Sequence, residues 1–283
     1  GFRISDFFRI SDFGFRISSG FRICRLGLAL LLTLAPAFGA DQAALLAGRP
    51  EPPGSGLPPN IDPVQAGQEL AAQLRSMIPA ESSRYTGTLR TRRPEANITI
   101  TPVMVTTTVT DPSWQVVYET PGSVALPPER LTIIHTLDQP IVYLYATGTN
   151  LGQPARLTGD QANRPFAGSV FWLSDLGLDF FHWPEQRLIK IEMRQSRSCR
   201  VLESRRPRPP ADGYARVLSW IDVETGGLIR AEAFDARNQP LKEFTVKGLQ
   251  KVNGKWQLKD IRIRNSQTKT TTDLEHDPNP SGP

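Results

Sequence analysis

The chain has 283 residues, 39% of them hydrophobic and 22% charged, with a formal net charge of +5. That apolar share supplies one real core, which excludes a wholly disordered chain, and the length allows one β domain with tails or two smaller domains. Three histidines (His135, His182, His276) stand far apart and Cys24 and Cys199 are the two cysteines. Neither a metal site nor a Cys/His catalytic pair assembles from them, so no enzyme activity, catalytic residue, metal or other cofactor is expected. After the N-terminal region no run of eighteen apolar residues occurs, which excludes a polytopic membrane protein.

Residues 1–23 repeat the unit Phe-Arg-Ile-Ser, starting at Phe2, Phe8 and Phe15 and fading at Phe21. The tract is too short for a repeat architecture, and it is expected to be an extension upstream of the natural start. Residues 24–40 have the form of a secretory signal. Arg22 and Arg25 precede an apolar run from Leu26 to Leu34 that is too short to span a bilayer, and Ala37-Phe38-Gly39 supplies small residues for cleavage. Cys24 lies before the apolar run, where lipoprotein acylation does not occur. Cleavage would remove five Arg and two Asp, taking the basic count from 33 to 28 and the acidic count from 28 to 26, a net +2. The basicity is therefore partly leader, and nucleic acid is not an expected partner. Cys199 would then have no intramolecular disulfide partner.

Residues 41–63 hold six prolines, with Gly54 and Gly56 among them, and read as an extended linker. Residues 64–78 form the one good helix. Val64, Leu70, Leu74, Met77 and Ile78 fall on one stripe, Asp62-Pro63 caps the start and Pro79 the end. Strands dominate afterwards, at 85–91, 99–110, 114–119, 130–137, 141–146, 187–194, 199–203, 214–223, 228–235, 241–251 and 255–266. Asp138-Gln139-Pro140, Thr225-Gly226-Gly227 and Asn253-Gly254 give tight links, the last being a strong hairpin signal. The pattern predicts a mainly β fold: an antiparallel meander of about ten strands, which must close, curl or split. Residues 166–183 interrupt it. They are the most apolar and aromatic segment after the leader, with Ser174-Asp175 placed to cap a short helix. A hairpin loop has no use for such a segment, so it is expected inside a curled sheet, as a core plug or as a lipid-lined lid.

Other motifs add little. Gly248 to Lys255 lacks the spacing and the Ser/Thr of a phosphate loop. Asn97-Ile98-Thr99 matches a glycosylation sequon. His135 and His182 read as ordinary satisfied histidines or a proton switch. Arg194, Arg197, Arg200, Arg205, Arg206 and Arg208 cluster beside prolines. They read as a solvated charged loop, an anionic-headgroup site or an acidic-partner site.

Phe166-Ala167-Gly168-Ser169, Ser174-Asp175-Leu176 and Cys199-Arg200-Val201-Leu202-Glu203 stand in a telling order. Trp220-Ile221-Asp222 follows, then Ala233-Phe234-Asp235 and Leu241-Lys242-Glu243-Phe244. Over roughly residues 66–275 this order resembles the LolA/LolB superfamily of periplasmic lipoprotein carriers, in the branch named outer-membrane lipoprotein-sorting proteins. The resemblance implies a strongly curved, unclosed antiparallel sheet, a half-barrel with helices lidding an apolar concavity. The expected domain runs over 64–275, with 276–283 a tail. It also implies a periplasmic carrier, monomeric, that shields lipoprotein acyl chains or another amphiphile and meets membrane-associated donors and acceptors. A same-fold sensor that binds a lipid or lipoprotein and signals to a membrane partner is the alternative. Alternation and aromatic content nominate Ile133, Tyr143, Phe171, Trp172, Leu176, Phe180, Phe181, Trp183 and Trp220 as lipid-binding, with each equally able to fill a solid core. The carrier expectation requires a hollow that the protein's own side chains leave unfilled.

Overall fold

The structure, a computed structural model, describes residues 57–79, 81–252 and 255–276. The N-terminal repeat, the signal segment, most of the linker, the Asn253-Gly254 turn and residues 277–283 lie outside them.

The helix α1 spans Pro63–Arg75, and Asp62 caps it as expected, its Oδ1 accepting from Val64 N at 2.8 Å and Gln65 N at 3.2 Å. It ends three residues early, where the Ser76 N–H closes the last turn on Ala72 O. Thirteen strands follow: β1 Ser83–Arg92, β2 Thr99–Thr110, β3 Ser113–Thr120, β4 Glu129–Thr136, β5 Val142–Thr147, β6 Ala155–Arg156 and β7 Glu185–Arg194, then β8 Arg197–Arg205, β9 Arg216–Asp222, β10 Leu228–Phe234, β11 Pro240–Val252, β12 Lys255–Asn265 and β13 Thr271–His276. They form a single sheet in the order β6-β5-β4-β3-β2-β1-β13-β12-β11-β10-β9-β8-β7, antiparallel throughout and unclosed. The count exceeds ten because β6 and β13 were not anticipated. β13 joins the two meanders, pairing with β1 on one side and β12 on the other.

This order explains the aromatic segment. β6 and β7 are consecutive in sequence yet lie at opposite edges of the sheet. Residues 157–184 are therefore a crossover from edge to edge. Its touches at both ends measure the curvature. Gly177 abuts Tyr143 on β5, while Asp175 bonds Lys242 on β11. Those strands are seven intervals apart, about 33 Å in a flat sheet at ~4.8 Å per strand. Two side chains and two residues of backbone cannot bridge that, so the sheet is strongly curled around the crossover.

Alternation assigns the faces. Leu89, Val105, Val116, Ile133, Val246, Ile261 and Leu274 point inward with the crossover's Phe166, Phe171 and Leu173. The outer face of the central strands carries ion pairs, among them Arg92 and Arg262 on Asp273 and Arg90 on Glu275. On the inner side α1 covers the β7 edge with Leu70 and Ala71. A Cβ at Gly67 would come within 2.5 Å of Arg187 N and Cα, so the glycine is what lets helix and edge strand meet.

Candidate functional site

The candidate site is the inner face together with the crossover that fills it. A short helix, α2, spans Leu173–Leu176, and a 3-10 turn covers Asp179–His182. Leu178 separates them in the left-handed region at φ 52°. Ser174 and Asp175 sit within α2 rather than before it. Asp175 still caps, because its Oδ2 accepts from Trp172 N at 2.8 Å.

Eight of the nine nominated residues meet here. Ile133, Tyr143, Phe171 and Leu176 lie in one apolar cluster. Phe180, Phe181 and Trp183 lie in the adjoining one, with Trp172 packed against it and Phe244 touching both. Trp220 is the correction. It stands on the outer face with Val201 and Ile229, donating from Nε1 to Glu192 Oε1 at 2.6 Å, with the Arg194 guanidinium 5.1 Å from its ring centre. Alternation pairs residues on a face but carries no sign for which face is inner. In β8 and β9 both faces are buried, so burial potential gave no help.

The crossover is fixed at both ends. At the first, Ala167 (φ 50°) and Gly168 (φ 67°) make a left-handed turn. Ala167 N donates to the buried Glu129 carboxylate at 3.0 Å and Val170 N to Thr272 Oγ1 at 3.0 Å, while Arg93 donates to Gly168 O at 2.8 Å. At the second, buried Gln186 donates to Phe180 O and Trp183 O, and Arg75 to Phe181 O. Between them, among the described residues, 172–179 have one polar link to the scaffold, the Asp175 side chain. Lys242 Nζ reaches its Oδ2 at 2.9 Å and Tyr214 Oη donates to its Oδ1 at 2.8 Å. Trp172 stacks on Tyr214 with centroids 4.6 Å apart, and Lys242 Nζ lies 3.6 Å from the Trp172 ring centre. The Lys242 side chain is 4% exposed and that of Asp175 9%. Burial pulls the Lys242 ammonium down to about 8, while Asp175 pulls the other way. Burial, then Asp175, raises the Tyr214 hydroxyl well above its ordinary range, so it is a neutral donor.

Among the described residues the crossover packs into the inner face where the open hollow was expected. A residual cavity of about 20 Å³ remains, room for roughly one water molecule. Its lid-side walls are Phe171, Asp175, Leu176 and Leu178, and its sheet-side walls include Tyr118, Phe244, Ile261 and Leu274. The space lies directly beneath the least anchored stretch.

Two histidines border the second end. His135 stacks on Trp114 at 4.7 Å, and its Nε2 is buried without a partner. Burial, with a smaller push from His182, lowers it to about 4. The arginine cluster is largely paired. Arg194 lies near Glu232, Arg197 on Asp222, Arg205 on Glu203 and Arg206 on Asp160.

Sequence reasoning passed over Lys242, Tyr214 and Glu129. Lys242 was legible, since Lys242, Phe244 and Val246 alternate onto one face, an unusual place for a lysine. Tyr214 and Glu129 carry no such pattern.

A family model described as "Uncharacterized protein" matches residues 131–278, just over half of the chain, and the chain belongs to that family. No curated protein matches it. Among solved structures it is similar to a DUF1329 family protein from Desulfovibrio piger, with TM-score 0.63 and 16% identity over 77% of this chain and 92% of that one. It is similar to a candidate outer membrane lipoprotein-sorting protein domain from Vibrio parahaemolyticus, with TM-score 0.62 and 17% identity over 75% and 91%. It is also similar to a LolA-superfamily protein from Nitrosomonas europaea, with TM-score 0.54 and 15% identity over 77% and 92%. At these identities the likeness is one of fold: the chain has the LolA-type half-barrel.

Proposed function

We propose that this protein is a periplasmic carrier that holds the acyl part of a lipoprotein or another amphiphile, and that its crossover occupies the site at rest. The observation that carries this reading is the mismatch in anchoring. Residues 172–179 cover a residual cavity and reach the scaffold through one ion-paired carboxylate, while both flanks are tied by main-chain hydrogen bonds. Lifting them bares the walls formed by Tyr118, Phe244, Ile261 and Leu274. The fold shared with a candidate lipoprotein-sorting domain supports the same reading.

The energetics suit exchange. An acyl chain of about fifteen methylenes gains ~12 kcal/mol on leaving water. Moving Trp172, Leu173, Leu176 and Leu178 outward costs about 6–12 kcal/mol at ~1.5–3 kcal/mol per side chain. Cargo and lid compete for one surface, so net affinity is a difference. Release then needs no energy source, only a receiver or the lid's return. No group in this scheme performs covalent chemistry.

The test is displacement of a fluorescent fatty-acyl probe from the full-length chain. Trp172→Ser weakens the resting lid and is expected to increase probe uptake. No uptake by either protein at saturating probe sinks the carrier reading. The sensor alternative uses the same cavity. It predicts binding to a membrane partner without transfer of lipoprotein between membranes.

A further inference from the structure

We infer that the carrier site selects anionic amphiphiles, because the Asp175 carboxylate in the resting protein occupies a ready-made anion site formed by Lys242 and Tyr214. The inference rests on the carrier reading and adds the headgroup charge.

The geometry is that of a bound anion. Both Asp175 oxygens are engaged, Oδ2 by Lys242 Nζ at 2.9 Å and by Trp172 N at 2.8 Å, and Oδ1 by Tyr214 Oη at 2.8 Å. Asp175 and Trp172 belong to the stretch that lifts. Lys242 is on β11 and Tyr214 lies just ahead of β9, so both stay with the scaffold. Lifting the lid therefore removes the anion and leaves Lys242, 4% exposed in the resting state, without its counterion beside Tyr214. A buried ammonium stripped of its counterion is strongly unfavourable. A neutral cargo leaves it so. A cargo with a negative headgroup replaces Asp175 on the same two donors while its chain enters where Leu176 and Leu178 had been. Carboxylate and phosphate headgroups both satisfy this chemistry.

The test uses the full-length chain loaded with a neutral polarity-sensitive dye, Nile red, and four competitors of equal chain length. These are dodecanoate, dodecyl phosphate, dodecanol and dodecyltrimethylammonium. The expected result is displacement by one or both anions at about tenfold lower concentration than dodecanol, the worth of one charge-assisted contact, with the cation weakest. The better of the two anions identifies the headgroup. In Lys242→Met the preference collapses to about onefold. Because that variant leaves Asp175 unpaired, the Asp175→Asn/Lys242→Met pair repeats the measurement with both charges removed and its fold checked by circular dichroism. Equal displacement by dodecanol and the anions in the natural chain overturns the inference alone, as does an anion preference that survives in the double variant. Failure of all four competitors, dodecanol included, overturns the carrier reading and this inference with it.

Discussion

The ends of the crossover and its middle are built on different principles. At the Ala167 end, backbone N–H groups donate to side-chain acceptors buried in the sheet, Glu129 and Thr272. At the Phe180 end, backbone carbonyls accept from buried Gln186, itself held by Ser204. Breaking either end strands a buried polar group, which is costly. The middle bonds mostly to other residues of the crossover, Leu173 N donating to Arg164 O. Ser174 donates to Asn163 and Trp183 Nε1 to Asp179, leaving Asp175 to reach outward. Lifting the middle breaks the Leu173 N to Arg164 O bond and the Ser174–Asn163 contact, both within the crossover, whereas freeing either end strands polar groups buried in the sheet. The apolar content is similar in both regions, so polar bookkeeping decides which part is movable.

Breaking an end is expected to have the largest effect. Glu129→Ala leaves Ala167 N without its acceptor in a buried turn and is expected to lower stability by about 2–4 kcal/mol in urea unfolding. Glu129→Gln keeps an acceptor and is expected to recover about half of that. Equal losses in the two variants would show that the turn does not depend on this bond.

Acid probes the other end. His135 titrates near 4 in the folded protein, against 6.5 for an unperturbed histidine. Between those values the unfolded chain binds the extra proton. The contribution is therefore fully present above about pH 6.5 and lost as pH falls towards 4, worth about 3 kcal/mol in all. His135→Phe keeps an aromatic partner for Trp114 and is expected to flatten stability across that window. An unchanged slope would mean that the imidazole is not the titrating group.

The middle responds less in stability and more in motion. A Cβ on Gly177 meets the buried Tyr143 hydroxyl. Gly177→Ala is expected to cost about 1–3 kcal/mol, while hydrogen exchange quickens in residues 172–179 and not at the ends. Smallest of all is the outer face. Arg90 and Glu275 are each about one-third exposed, so Arg90→Gln is expected to change stability by less than ~1 kcal/mol, a loss that added salt already erases in the natural chain.

The sheet was readable because alternation and turn residues are local. The expected strand at 99–110 coincides with β2, and most other boundaries fall within two or three residues. β13 was missed because Thr271 to His276 is mostly polar. Its outward Asp273 and Glu275 are matched by Arg262 on the neighbouring β12 and by Arg90 and Arg92 on β1, which is distant in sequence. The aromatic segment was recognised as foreign to a hairpin, but its reason is topological: β6 and β7 end up at opposite edges once β13 joins the meanders. Eight nominated residues came together because inward burial and aromatic content coincide there. Trp220 went astray because a face has no sign in one strand. Whether the aromatic segment is a core plug or a lid stayed open in the sequence, since that depends on how tightly a curled sheet closes on its own crossover.

Hydrogen exchange in the full-length chain, with and without saturating dodecanoate, tests the account most directly. The account predicts that amides in residues 172–179 lose protection when the amphiphile binds, while Ala167 and Val170 keep theirs. Bound amphiphile with 172–179 still fully protected would contradict it, since cargo would then sit somewhere other than beneath the lid.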